Sequence, residues 1–177
     1  MGRLPDTLRT ARFLNWPIMK ARAFAGAALA AVAMVVAGTG TASAEPIDVD
    51  PALFMDGDTV YFADWYNAAY CAIHANGDVG CDIPAGGTLW GVIPVNDVVI
   101  DMAFLPAHPT FGLAGPHGRP GSRWITDVPR PDGNVYDGTR ITYAGVTCVG
   151  GRAGRGGGGI TCDAKGHHFR TAPLSIS

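Results

Sequence analysis

Hydrophobic and polar positions change their spacing several times along this chain, and each change predicts a different element. Ala23 to Val36 is a small, apolar run relieved only by Gly26. At about 16 residues to Gly38 it is shorter than the roughly 20 needed to span a bilayer. Met19, Lys20 and Arg22 give it a positive start, and Ala42-Ser43-Ala44 ends it with a small-x-small pattern before Glu45. This predicts a cleaved secretory signal peptide over residues 1–44, with Met19 a sufficient start, and a single secreted β-rich domain over residues 45–177. No cysteine precedes Cys71, so nothing near the cut can carry a lipid, and no retained membrane span is expected.

Beyond the cut, Glu45 to Pro51 is acidic and broken by proline, an extended lead-in. Phe54 to Tyr70 is rich in aromatics. Phe62, Trp65 and Tyr66 sit at helical spacing, with Asp58 or Thr59 as a cap, and the stretch fits a short helix and a strand equally. Tyr70 to Ile83 reads as two short runs around Asn76-Gly77. A two-residue turn there would set Cys71 opposite Asp82. A three-residue loop, Ala75-Asn76-Gly77 with Gly77 left-handed, pairs Cys71 with Cys81 at a non-hydrogen-bonded site, where Cα atoms lie about 4.5 Å apart and a disulfide fits. A disulfide-pinned hairpin follows.

Trp90 to Phe104 is apolar and β-branched, with Asn96-Asp97 as the expected turn between two strands and Pro94 favouring a sheet edge. Pro106 to Pro120 holds four prolines, three glycines and two histidines, the composition of a long surface loop. Order resumes at Trp124-Ile125, and Pro129 to Gly138 is again turn-rich. Arg140 to Val149 alternates as a strand. Gly150 to Gly159 contains seven glycines, Ile160 to Asp163 reads as the strand that pairs back, and His168 to Ile176 as a last strand interrupted at Pro173. Short strands between turn clusters, with 21 glycines and 11 prolines after residue 44, predict an all-β fold. The expected form is a small disulfide-pinned β-sandwich or partly open barrel with long Gly/Pro loops.

Charge and cysteine content sharpen this picture. The whole chain carries a formal −2, but residues 45–177 keep 8 basic and 14 acidic groups. Glu45 to Gly118 has 10 acids and no Lys or Arg, whereas from Arg119 onward there are 8 bases and 4 acids. Such halves are expected to fold onto each other and partly neutralise, and an acidic net charge argues against nucleic acid. Four cysteines, Cys71, Cys81, Cys148 and Cys162, read as two disulfides in an exported chain. Their spacings of ten and fourteen lack the close pairs of zinc sites. With Cys71 to Cys81 assigned, Cys148 to Cys162 follows by exclusion.

Two stretches resemble a known group. Tyr70-Cys71-Ala72-Ile73 with Val79-Gly80-Cys81-Asp82-Ile83-Pro84 is similar to the first cysteine motif of a family of small exported actinobacterial proteins of unknown function. Gly145-Val146-Thr147-Cys148, Gly159-Ile160-Thr161-Cys162 and Gly166-His167-His168-Phe169 resemble its second motif and its Gly-His-Gly-Phe ending, with His168 in place of the second glycine. The resemblance implies secretion, local disulfides and a structural His167 that donates to a backbone carbonyl. If the replaced glycine needs a positive φ, the turn must differ in this chain.

Candidate chemistry is sparse. Adjacent His167 and His168 on a strand face opposite ways and cannot easily share one ion. His108 and His117 share the Pro/Gly loop with Asp97 and Asp101 upstream, but no tight ligand spacing supports a metal site. Asp48, Asp50, Asp56 and Asp58 lack the alternation and terminal Glu of a calcium loop and read as a solvated acidic arm. No Gly-x-Ser-x-Gly is present. Ser122, Ser175 and Ser177 are the serines after residue 44, and Ser122 lies near His117 and Asp127 in sequence only. Asp97, Asp101 and Asp127 are the carboxylates from which a glycosidase pair would be drawn. Arg152 and Arg155 are too few for a basic patch. No metal, cofactor or catalytic set is therefore assigned. The leading expectation is an exported binding or interaction module whose partner is a protein or an envelope component, with a small secreted hydrolase as runner-up. An inhibitor that presents the 106–120 loop ranks third.

Overall fold

The computed structural model describes residues 45–115, 117–130, 138–151 and 158–177, all within one compact unit, Thr41–Ser177. The expected signal peptide, residues 131–137 of the turn-rich Pro129 to Gly138 stretch, and Arg152 and Arg155 lie outside the described residues.

The fold is all-β and consists of two open sheets. One is built from β2 (Met55–Asp56), β3 (Thr59–Ala63), β4 (Tyr70–Ile73), β5 (Val79–Leu89) and β6 (Ile93–Ile100), in that order. The other takes β7 (Thr139–Tyr143), β8 (Val146–Gly151), β9 (Gly159–Ala164), β10 (His167–Thr171) and β11 (Leu174–Ile176) as an antiparallel meander. It adds β1 (Ile47–Val49) in parallel beside β7. Alternate residues face inward, as the two-residue period of a strand requires. Val60, Phe62, Cys71, Ile73, Val79, Cys81, Val98 and Ile100 from the first sheet share one core with Ile141, Val146, Cys148, Ile160, Cys162 and Phe169 from the second. Each such aliphatic or Phe side chain stabilises by about 1.5–3 kcal/mol on burial.

Both disulfides lie inside that core, Cys71 to Cys81 and Cys148 to Cys162, each joining residues directly opposite in register. The first hairpin closes through Ala75-Asn76-Gly77, with Gly77 at φ 81°, as its cysteine register requires. The tail divides at Pro173 into β10 and β11.

Several expectations change. Arg140 to Val149 is not one strand but two, β7 and β8, joined by a turn at Ala144-Gly145. Phe54 to Tyr70, which fitted a short helix and a strand equally, is no single element. It resolves into β2, β3 and two single 3₁₀ turns, Pro51–Phe54 and Trp65–Asn67. Asn96-Asp97 is not a turn, because β6 runs straight through it and the chain reverses at Trp90-Gly91. Asn96 instead stands opposite a bulge, where residues 83–86 of β5 face it alone. Pro94 does lie on an edge strand. Finally, the turn before β10 is formed by Lys165 and Gly166, at φ 52° and 85°, so His168 sits in ordinary strand, where no glycine is required.

The acidic and basic halves meet through ion pairs. Asp56 pairs with Arg119, Glu45 and Asp48 with Arg140, and Asp78 with Lys165.

Candidate functional site

The Pro/Gly loop is a strap that crosses the outer face of the first sheet. Its start is stitched to the edge by His108, which exchanges both backbone hydrogen bonds with Val99. Its centre is held by two carboxylates. Asp82 and Asp97 stand directly opposite each other on β5 and β6, an arrangement that is repulsive when unscreened. The strap resolves it by pointing N–H groups at both. His117 N and Gly118 N donate to Asp82 at 2.9 and 2.8 Å. Thr110 N (2.8 Å), Gly112 N (3.2 Å) and the Thr110 hydroxyl donate to Asp97.

His117 Nε2 lies 3.7 Å from Asp97 and 3.4 Å from Thr110 Oγ1. Burial works against the charged form of Asp97, but the Thr110 and Gly112 donors and the nearby imidazole outweigh it and hold the carboxyl below its usual range. Two glycines make the approach possible. A Cβ on Gly118 would stand 2.2 Å from the Tyr70 carbonyl oxygen, and one on Gly80 would stand 2.8 Å from His117.

The strap does not bring His108 and His117 together. His108 faces Asp101 at 3.8 Å and donates Nδ1–H to the Pro106 carbonyl, while His117 faces Asp97. Among the described residues no group of three or more His, Cys, Asp or Glu could hold a metal. The N-terminal aspartates are scattered. Asp50 caps the first 3₁₀ turn through Ala52 N, Asp58 accepts from Thr59, and Asp48 and Asp56 pair with arginines. Ser122 donates to the Arg119 carbonyl, and Asp127 pairs with Arg123. His167 and His168 face opposite ways. His167 Nε2 donates to the Ala103 carbonyl at 3.0 Å.

His168 lies in a cross-strand row with Asp163 and Ser177, a juxtaposition the sequence did not suggest. Ser177 Oγ is almost equally far from both ring nitrogens, 2.8 and 2.9 Å, so it is not in line with either. Asp163 forms no ion pair with His168 among the described residues, and the row lacks the geometry of a nucleophile, base and orienter. The carboxylate pair that does exist, Asp82 with Asp97, also escaped sequence reading. Asp82 becomes its partner only when β6 is continuous through Asp97.

At the end of the first sheet where β3 finishes and β4 begins, the backbone presents aromatic rings to solvent. Among the described non-glycine residues with positive φ are Tyr66 (71°), Trp90 (52°) and Phe111 (56°), which are 75%, 72% and 63% exposed. Bulky side chains rarely adopt this conformation. Tyr66 packs edge-on against Trp65 (5.3 Å), which packs on Trp124 (4.6 Å), and Trp124 Nε1 donates to Asn67 Oδ1 at 2.9 Å. Beneath them Asp64 is 2% exposed. Burial pushes its carboxyl up, only partly opposed by the Trp65 and Gly159 N–H groups, and its Oδ1 has no hydrogen-bond partner. Trp90 tips the β5–β6 arm, whose bulge opens clefts on its flanks. One of about 500 Å³ is lined by Ala85, Gly86, Pro94 and Asn96, and another of about 330 Å³ by Asp82, Pro84, Asp97 and Gly112.

Comparison with protein-family models, with curated proteins and with solved structures gave no match.

Proposed function

We propose that the protein is an exported binding module that works at the cell envelope or outside the cell, with the aromatic end of its first sheet as the contact surface. The observation that carries this reading is the placement of positive φ at Tyr66, Trp90 and Phe111. Each such residue costs of order 1–3 kcal/mol of strain, and here the cost falls on three large rings that gain little burial from it. Exposed aromatic rings on constrained backbone offer contact area at small entropic cost. The converging titratable groups, by contrast, spend their hydrogen bonds on the strap.

Export is part of this proposal and is supported by two core disulfides together with the segment before Glu45. No helix among the described residues is long and apolar enough to cross a membrane. Membership in the exported actinobacterial group with paired-cysteine motifs belongs to the same proposal.

Retention of labelled protein by washed envelope material is the test. The native protein should be retained, and a variant with Tyr66, Trp90 and Phe111 all replaced by Gly should be washed out while remaining folded. Equal retention of both proteins would remove the aromatic end as the contact surface.

A further inference from the structure

We infer that Trp65, Tyr66, Asn67 and Trp124 form a saccharide subsite that takes the flat face of an uncharged pyranose; this rests on the binding-module reading and names its ligand class. The shelf is held from below and from the side. Asp64 N donates to the Ala69 carbonyl and Asn67 N to the Asp64 carbonyl, closing a tight loop in which both Tyr66 and Asn67 have positive φ. Trp124 is held against that loop because its neighbours Arg123 and Ile125 exchange backbone hydrogen bonds with Ala63 at the end of β3. Trp65 lies between the two other rings and orients Tyr66, whose surface is three quarters in solvent.

Three features select the ligand. A preorganised aromatic ring offers a negative face to weakly positive C–H groups, which a pyranose presents on its apolar side. Next to the ring, the Asn67 carboxamide is oriented by the Trp124 indole N–H on its oxygen, which leaves its two amide hydrogens to donate to a hydroxyl or ether oxygen. The exposed charged neighbours are already paired. Arg123 holds Asp127 at 3.5 Å, and Arg119 holds Asp56 while lying 4.1 Å above the Tyr61 ring. A rim with its charges neutralised favours a polar, uncharged ligand over an anion. It also disfavours an anionic membrane, which calls for unpaired Lys and Arg around an apolar wedge.

The test is titration of the purified protein with trimers of N-acetylglucosamine, of mannose and of galactose, followed by tryptophan emission and calorimetry. Phosphatidylcholine vesicles serve as the lipid control. At least one trimer should bind saturably with sub-millimolar affinity, and the affinity should be unchanged between 50 and 500 mM salt, as roughly expected for a neutral ligand. Tyr66→Gly keeps a residue that tolerates the loop's φ, and it should weaken binding at least about 10-fold without lowering the melting temperature. Asn67→Gly should weaken it less, and Ala144→Gly, at the opposite end of the sandwich, should leave it unchanged.

The inference is overturned if no trimer binds, if Tyr66→Gly binds as well as the native protein, or if Tyr66 is needed for vesicles rather than sugars. Envelope retention that persists without sugar binding would remove the saccharide and keep the module. Loss of both would remove both.

Discussion

The two ends of the sandwich put different side chains on the same backbone conformation. At one end the left-handed region is filled by turn residues: Gly77 in the first disulfide hairpin, Ala144-Gly145 between β7 and β8, and Lys165-Gly166 between β9 and β10. These turns press on one another. A Cβ on Gly77 would come within 3.0 Å of the Ala144 carbonyl oxygen, and the Lys165 ammonium binds Asp78 and the Asp101 carbonyl. There, positive φ shortens connections so that the tips interlock. At the other end Tyr66, Trp90 and Phe111 hold the same conformation, and their rings reach into solvent. Here too the conformation closes tight turns, at Trp90-Gly91, at Phe111-Gly112 and in the 64–69 loop, but it carries large rings that stay in solvent.

The largest perturbation should erase the comparison altogether. Each disulfide closes a short loop and stabilises by about 3 kcal/mol, against a total of roughly 5–15 kcal/mol for a domain. Reduction of both should unfold the protein or leave it barely stable, as circular dichroism with and without reductant would show. Peptide mapping that linked Cys71 to Cys148 or Cys162 would contradict the pairing outright.

Loss of the strap anchor comes next. Asp97→Ala leaves the Thr110 and Gly112 donors without an acceptor and should cost about 2–3 kcal/mol, with faster proteolysis between residues 101 and 123. Asp97 also titrates. Its folded pKa is depressed, so its contribution is complete above the ordinary carboxylate value and is lost as pH falls through the lower folded one. Melting temperature followed from pH 6 to pH 2 should drop on that limb, and Asp97→Asn should flatten it.

Glycine substitution compares the ends directly. Ala144→Gly and Tyr66→Gly each relieve a left-handed side chain, and each should gain roughly 0.5–1 kcal/mol once the extra freedom of the unfolded chain is counted. Only Tyr66→Gly should alter envelope retention. A destabilised Tyr66→Gly protein would mean that the ring is structural and that the contrast fails.

Asp64 gives the smallest effect, with the opposite pH sign to Asp97. Its folded pKa is raised, so its favourable share is present at low pH and is lost as pH rises through the folded value. Asp64→Asn should therefore raise the melting temperature slightly at neutral pH and leave it nearly unchanged in acid.

Much of the interlocked end was legible in the chain, because its signals are local. Asn76-Gly77 between two cysteines admits one register, and Cys148 and Cys162 bracket a glycine run that can close. The displayed end was not legible. Nothing in Trp90-Gly91 advertises a reversal as strongly as Asn96-Asp97 does, and the polar pair marks a bulge because four residues of β5 loop out across from it. Tyr66 was visible as one aromatic among several. That it stands out from the fold depends on the 64–69 loop meeting Trp124, a contact across 57 residues that no periodicity encodes. Asp82 was hidden for the same reason, since its pairing with Asp97 follows only from strand continuity.

The parallel pairing of β1 with β7 has a consequence in time. Ile47 meets Thr139 across more than half of the described chain, and it is the one parallel pair in an otherwise antiparallel sheet. A chain that emerges from its N-terminus first can form the β4–β5 hairpin early, from contacts ten residues apart. The strand that emerged before it must wait for Arg140. Until then β1 has no partner, and the acidic arm at Glu45 and Asp48 has no counterion. β1 can thus close only after β7 has been made, and the vulnerable interval in this protein's birth is the wait between them.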